Sequence, residues 1–369
     1  MSLRPPKRSL AGPFLMATLA IAALGLTVLY SATRARAGGG VSPLFMKQVV
    51  YMGLGAALAF AVSRVDPRRM EELTPFVWLG VMVLLVATLV VGDVRMGARR
   101  WIGFGPANLQ PSELGKLALV MGLARWFHRH PRPDGYGLIN LLPSAFLVAV
   151  PMGLVFFQPD LGTTLFYGFL TGSVVVFGGL RLRSIVLVVG LVLVSVPLAY
   201  NNILDQYQRD RIQTFLQPEN DPRGKGYQTL QARYAVGAGR LTGKGYLSGT
   251  QSQGGFLPEQ HTDFIFAVLG EEFGFLGSSA LVALYTYWLL LGLGIAARVR
   301  ERYAAVLAVG VTSILFWQMV INLGGVLGYM PVTGLTLPLL SYGGSSLLLM
   351  GLCVGVLLSI ARSSAKPQH

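Results

Sequence analysis

Between residues 256 and 275 the chain reads FLPEQHTDFIFAVLGEEFGF, so Glu259, His261, Thr262 and Asp263 stand where a polar segment enters an apolar run. A carboxylate at such a boundary leaves water, which disfavours its charged form, and its default reading is functional. The chemistry open to Asp263 is that of a general base. A second reading is local: Thr262 or Asp263 could accept backbone N–H groups as the cap of the next helix. Both can hold at once.

Four further positions carry groups of the same kind. Glu113 and Lys116 lie three apart in an otherwise apolar stretch, which puts them on one helix face where each can neutralise the other. They read either as a buried structural pair or as part of a ligand cavity. Asp160, in QPDLGTT at 158–164, reads as a helix cap braced by Pro159, or as a participant in chemistry. Lys244 falls in the glycine-rich stretch 237–249. That stretch misses the phosphate loop of nucleotide-binding proteins, because Ala238 stands where a glycine is needed and Gly245 where Ser or Thr is needed. His128 and His130 are two apart and His261 stands alone, so no two-histidine zinc helix is present. The single cysteine, Cys353, lies in an apolar run and supplies neither a disulfide framework nor a metal site. Nucleotide-driven transport and zinc chemistry are poorly supported.

The elements that must position these residues are membrane spans. Of 369 residues, 53% are hydrophobic and only 12% charged, a balance wrong for a soluble domain. Apolar runs of spanning length fall near residues 12–32, 44–63, 73–93, 109–127, 137–157, 160–179, 182–200, 264–297, 303–328 and 335–361. The expectation is therefore an all-α polytopic protein of ten helices, one membrane domain over 1–369. The net charge of +14 is spread through short loops, which argues for topology and against nucleic acid. With the N-terminus in the cytoplasm, most Arg and Lys gather on the inner side, both termini are cytoplasmic, and Asp263 is on the outer side. Trp101 beside Arg99 and Arg100 reads as an interfacial anchor. Residues 201–262 form one large outer loop whose apolar residues, Ile212, Phe215, Tyr227, Leu230 and Tyr234 among them, predict short helices folded back on the membrane surface. The serines and glycines of 341–346 read as packing residues that permit close helix approach.

At this point the chain resembles a known family. GARRWIGFGPANLQPSELGK at 97–116, QPDLGTT at 158–164, QRDRIQTFLQPENDPRGKGYQTLQ at 208–231, GTQSQGGFLPEQHTDFIFAVLGEEFGFLG at 249–277 and PVTGLTLPLLSYGGSS at 331–346 are similar to motifs of the SEDS proteins (shape, elongation, division, sporulation), nearer the elongation branch than the division branch. The resemblance runs from the first span to the last, and departs locally at Gly254 and Gly255, where bulkier residues are commoner. It implies a peptidoglycan glycosyltransferase of the bacterial plasma membrane that polymerises lipid II, with Asp263 as the essential acid. It also implies dependence on a divalent cation, Mg²⁺ or Mn²⁺, and a class B penicillin-binding protein as partner, alongside other elongation-complex membrane proteins and membrane lipids.

For that reaction a sugar hydroxyl must displace a lipid pyrophosphate, a good leaving group, so one general base and some cations suffice. Asp263 is the expected base, and the expected anomeric outcome is inversion. Arg211 and Lys116 are the first candidates to receive the pyrophosphate, with backbone N–H groups near 243–249 as additional donors; Arg211 could equally pair with Asp210 or lipid head groups. Glu113 would orient Lys116, or hold a water or metal ion. Glu259, His261, Thr262, Asp160 and Lys244 are supporting candidates. A lipid II flippase and a non-catalytic scaffold for the penicillin-binding protein are the alternatives.

Overall fold

The computed structural model describes residues 9–34, 38–95, 98–104, 107–202, 206–221 and 224–364. Among the described residues ten helices have spanning length: α1 (Ala11–Arg34), α2 (Pro43–Ser63), α3 (Pro67–Val91), α4 (Pro111–Arg129), α5 (Leu138–Phe156), α6 (Leu161–Gly179), α7 (Leu182–Asn202), α11 (Ile265–Arg298), α12 (Arg302–Leu327) and α13 (Gly344–Ser363). Eight are long and apolar enough to cross a membrane on composition alone. The others are α4, which carries Glu113 and Lys116, and α7, whose described apolar part is Leu182–Leu191. The protein is a multi-pass, predominantly helical membrane protein.

Local sequence explains where helices begin. Ser42 accepts from Leu44 N ahead of Pro43, and Asp66 accepts from Arg68 N ahead of Pro67; in each case proline takes the first helical position, where an N–H would go unused. Packing follows residue size. A Cβ on Gly351 of α13 would lie 2.2 Å from the Gly55 carbonyl of α2, so these two helices touch through backbone. The most apolar windows of α12 and α13 are 78% buried against 17% for α2 and α5, which makes the first pair the interior of the bundle.

Four features depart from the sequence expectation. First, the loop between α3 and α4 is a small antiparallel sheet, β1 (Asp93–Arg95), β2 (Ala98–Phe104) and β3 (Ala107–Leu109), in the order β1-β2-β3. Within it the arginines beside Trp101 bond to neighbouring elements. Arg99 Nη1 donates to Leu89 O and Val90 O at 3.3 and 3.2 Å, capping the carbonyl end of α3, and Arg100 reaches the Gln158–Asp160 turn. Second, the tenth helix starts at Gly344, nine residues later than the apolar run. Pro338 lacks an N–H, Leu339 has φ 63°, and residues 335–341 cross the interior as irregular backbone. Third, the serines there hydrogen-bond as well as pack.

Fourth, α11 is two half-helices joined at Gly274, where φ is 66°. The break frees carbonyls on one side and amides on the other, and the irregular segment 240–245 satisfies both. Lys244 N and Gly245 N donate to Glu271 O and Glu272 O, while Phe275 N and Leu276 N donate to Arg240 O and Leu241 O. Bonds of 2.8–3.1 Å thus replace the missing helix turn. Irregular backbone at this depth is tolerated only when every freed group finds such a partner.

The large loop contains short helices, as its apolar residues predict: α8 (Gln206–Leu216), α9 (Lys225–Ala238) and α10 (Thr250–Gln253), with a 3₁₀ turn at Pro218–Asn220.

Candidate active site

The turn 259–264 delivers the chain into α11, and its backbone is held at three successive residues. Tyr342 N donates to His261 O at 2.8 Å, Ser341 Oγ to Thr262 O at 2.6 Å, and Asn322 Nδ2 to Asp263 O at 3.0 Å. The first two donors lie on the irregular segment before α13 and the third on α12, so two distant parts of the chain fix one short stretch. Asn322 Nδ2 also donates to Leu335 O at 2.8 Å, tying the irregular segment to the same amide. From the far side Gln48 of α2 donates to Ser341 O at 2.9 Å. The backbone of Asp263 therefore has little freedom, which fixes the point from which its side chain extends.

The half-buried Asp263 lines a small crevice with Asn322, Gly325, Val332, Thr333 and Gly334. Gly334 has φ 81°, and a Cβ there would come to 4.0 Å from Asp263 Oδ2. Glycine both permits the backbone and leaves space before the carboxylate. Asp263 lies two residues ahead of Ile265, at the positive end of α11, where a negative charge is favoured. Glu259 is half-exposed, its Oε2 3.9 Å from His261 Nε2, and Thr262 Oγ1 donates to Glu259 O at 3.2 Å. Beside them burial pushes the Tyr342 phenol up from its usual value, so it stays protonated at neutral pH.

Glu259, His261, Thr262 and Asp263 are thus brought together. Asp160 caps α6, accepting from Thr163 N at 3.3 Å and Thr163 Oγ1 at 2.9 Å. The helix it caps abuts the crevice, because a Cβ on Gly162 would lie 3.0 Å from Thr333 Cβ. Lys116 is elsewhere. It is fully buried in α4, 2.6 Å from Glu113 Oε1 and 4.6 Å from the centre of the Phe166 ring, which is the geometry of an interior ion pair and not of a cation open to a head group.

Lys244 joins Glu271 at 2.9 Å, eight residues beyond Asp263 in sequence and about 12 Å along the helix axis. Glu271 is fully buried and also accepts from Gln251 N and Ser252 N, so it fastens α10 to α11. The amides of Lys244, Gly245 and Ser248 are spent on Glu271 O, Glu272 O and Gly245 O. They are not donors for a substrate phosphate. Arg211 belongs to α8, and its side chain lies outside the described residues.

Sequence reasoning missed Asn322, Gly334 and Gln48. A signal existed for the first: Gln318 and Asn322, four apart, interrupt the apolar run of α12 on one face. Gln318 is fully buried and neither atom of its amide has a partner. Because Asn322 Nδ2 gives its two hydrogens to two carbonyls, the amide orientation is fixed and Oδ1 is left buried without a donor. Among the described residues no three of His, Cys, Asp and Glu converge on one point. The crevice offers one carboxylate, that of Asp263, while Asn322 Oδ1 is shut inside its wall. A single carboxylate fits a hard divalent cation that keeps its waters and takes its remaining ligands from substrate phosphates.

Residues 13–366 match the family model FTSW_RODA_SPOVE, described as "Cell cycle protein". The peptidoglycan glycosyltransferase MrdB of Escherichia coli strain K12 is 39% identical over 347 residues, covering 94% of this chain and 92% of that protein. A solved chain from a peptidoglycan synthase complex that coordinates polymerization and crosslinking superposes with a TM-score of 0.83 at 34% identity, over 96% of this chain and 98% of that one. The crystal structure of the rod shape determining protein RodA of Thermus thermophilus gives 0.71 at 31% identity, over 96% and 97%.

Proposed function

The chain belongs to the FtsW/RodA/SpoVE family, and from that premise we propose that it is a peptidoglycan glycosyltransferase that polymerises lipid II at the outer face of the plasma membrane. Asp263 accepts the proton of the acceptor sugar hydroxyl. The freed oxygen attacks the anomeric carbon of the donor from the face opposite the pyrophosphate, whose C–O bond breaks with the electron pair leaving on oxygen. The anomeric centre inverts and undecaprenyl pyrophosphate departs. A single carboxylate suffices because the leaving group needs charge stabilisation more than a proton.

The observation that carries this reading is the three-point clamp on residues 261–263. A general base contributes through position, and a group held to within a fraction of an ångström keeps the near-attack geometry without ordering at each turnover. The clamp also unites α11, α12 and the irregular segment before α13, so the base is fixed to the bundle interior. Asp263 would hold the divalent cation together with substrate phosphate oxygens, and the cation when bound would supply positive charge against the departing pyrophosphate. Lys116 gives its charge to Glu113 in the interior, which leaves Arg211 of the loop as the cation we assign to the pyrophosphate. The partner is a class B penicillin-binding protein supplying crosslinking, in keeping with the assembly in which the neighbouring solved chain was found. Both termini are cytoplasmic.

The test is polymerisation of purified lipid II by the purified protein with its penicillin-binding partner. Strands should form, stop with EDTA, return with Mg²⁺ and be absent for folded Asp263→Asn. Strands of normal yield from that variant would remove Asp263 from the chemistry. Transbilayer movement of lipid II by a wild-type complex that makes no strands would replace polymerisation with flipping.

A further inference from the structure

Only the first half of α11, before the break at Gly274, continues directly from Asp263. Residues 275–298 lie beyond the break, and among them the buried Tyr285 turns its hydroxyl onto the irregular segment before α13, where it donates to Pro338 O. Pro338 has no N–H, so this bond holds the residue by its carbonyl from another helix. The next residue, Leu339, has φ 63°, a left-handed conformation that is strained for leucine and persists only where the surroundings fix it. Those surroundings include α1. A Cβ on Gly25 would lie 2.3 Å from Leu339 O and 3.0 Å from Leu340 Cα, so glycine lets α1 press directly on this backbone.

Residues 337–341 are closed on themselves. Leu340 N and Ser341 N donate to Leu337 O at 3.2 and 3.1 Å, and Leu337 N donates to Ser341 Oγ at 2.9 Å. A shift at Pro338 or Leu339 is therefore carried to Ser341. The Ser341 hydroxyl accepts from Leu337 N and gives its one hydrogen to Thr262 O, while Tyr342 N donates to His261 O. Two of the three donors that hold residues 261–263 thus sit on this turn or on the residue that follows it.

We propose that Tyr285 is a positioning residue for Asp263, acting from the far side of the α11 break, with Gly25 as its counterpart on α1. Tyr285 holds Pro338 O and Gly25 limits Leu339 from behind. Between them they set where the turn 337–341 sits, and the turn sets where the backbone of residues 261–263 is held. The inference rests on Asp263 as the base of the proposed reaction, since a base contributes through its position. Its consequence is that the second half of α11, no longer continuous with the first, stays coupled to the site through one tyrosine hydroxyl as well as through residues 240–245.

The experiment is lipid II polymerisation by the full-length protein with its penicillin-binding partner, run beside hydrogen exchange read by mass spectrometry. Tyr285→Phe keeps the ring and removes only the hydroxyl; kcat should fall about tenfold with KM unchanged, as for a shift of about half an ångström at a reacting group. Gly25→Ala must displace Leu339 by about 1 Å to make room, and should lower kcat about a hundredfold. It decides alone if Tyr285→Phe does not fold. In a Ser341→Ala background, where the connection is already cut, Tyr285→Phe should cost less than about twofold more. Tyr303→Phe, which removes another buried hydroxyl from its contact with Thr74 at 3.0 Å, should keep kcat. Wild-type kcat in Tyr285→Phe or in folded Gly25→Ala overturns the proposal, as does a full tenfold loss in both backgrounds or an equal loss in Tyr303→Phe. Exchange of residues 259–264 should rise at least about threefold in Tyr285→Phe, because local opening becomes easier. Unchanged exchange overturns the proposal independently of activity, whereas a wild-type complex that makes no strands overturns the polymerisation reading instead.

Discussion

Replacing Asn322 with leucine tests the clamp most directly. The substitution keeps the branched outline of the side chain, puts two bulkier methyl groups in place of the amide oxygen and nitrogen, and removes two hydrogen bonds, to Asp263 O at 3.0 Å and Leu335 O at 2.8 Å. The Leu335 bond is buried and the Asp263 bond partly so. Each orphaned carbonyl costs about 1–3 kcal/mol, which sets the loss of stability at about 2–5 kcal/mol. The effect on rate is separate. Without its amide donor the Asp263 backbone can shift, and a displacement on the order of 1 Å at a reacting group costs about a hundredfold in rate. In the lipid II polymerisation assay kcat should fall about a hundredfold. Thr18→Val is the control. It leaves the buried Trp288 Nε1 without its acceptor at 2.8 Å, a comparable destabilisation far from Asp263, and should retain kcat. A folded Asn322→Leu protein with wild-type kcat, or an equal loss in Thr18→Val, would refute the clamp as a source of catalysis.

Gly274→Ala places a Cβ 2.3 Å from Gly243 N at φ 66°, so the segment bridging the α11 break must detach; the expected result is loss of monodisperse protein, checked by size-exclusion chromatography and thermal unfolding. Lys116→Met leaves Glu113 charged and buried, an expected cost of about 3–5 kcal/mol, and adding Glu113→Gln should restore the melting temperature. Failure of the double variant to recover would show that the pair is more than mutual neutralisation. Glu271→Gln weakens the bonds that hold Lys244 and α10, and trypsin should then cut at Lys244 at least several-fold faster; an unchanged digestion rate would rule out Glu271 as the fastening point.

Much of this architecture could be read from the sequence because span length and apolarity are blunt, redundant signals. Each of the ten runs corresponds to one helix, and the two helices that fall short on composition include the one weakened by Glu113 and Lys116. The sequence also brought Glu259, His261, Thr262 and Asp263 to one place, since four neighbours in a turn need no tertiary information. What was not legible depends on contacts between distant residues. Nothing local says that the amide of Asn322 meets the carbonyl of Asp263, fifty-nine residues away. Apolar content likewise predicts a tenth helix from residue 335, and only the donors on neighbouring elements show why the chain can stay irregular until Gly344.

The two irregular stretches have a common logic. At Gly274 the freed helix carbonyls and amides are taken by residues 240–245, and at 335–343 the backbone is taken by Asn322, Ser341 and Gln48. An unbroken helix would satisfy these groups unaided and present only side chains. Breaking it turns backbone groups into connectors, which is how α2, α11, α12 and α13 come to be tied around one carboxylate. The arrangement makes Asp263 sensitive to substitutions that never touch substrate, because the connectors are backbone groups whose partners lie on other helices. It follows that the functional effect of a substitution in this protein should track loss of a connector more closely than distance from Asp263, the ordering that Asn322→Leu and Thr18→Val are chosen to separate.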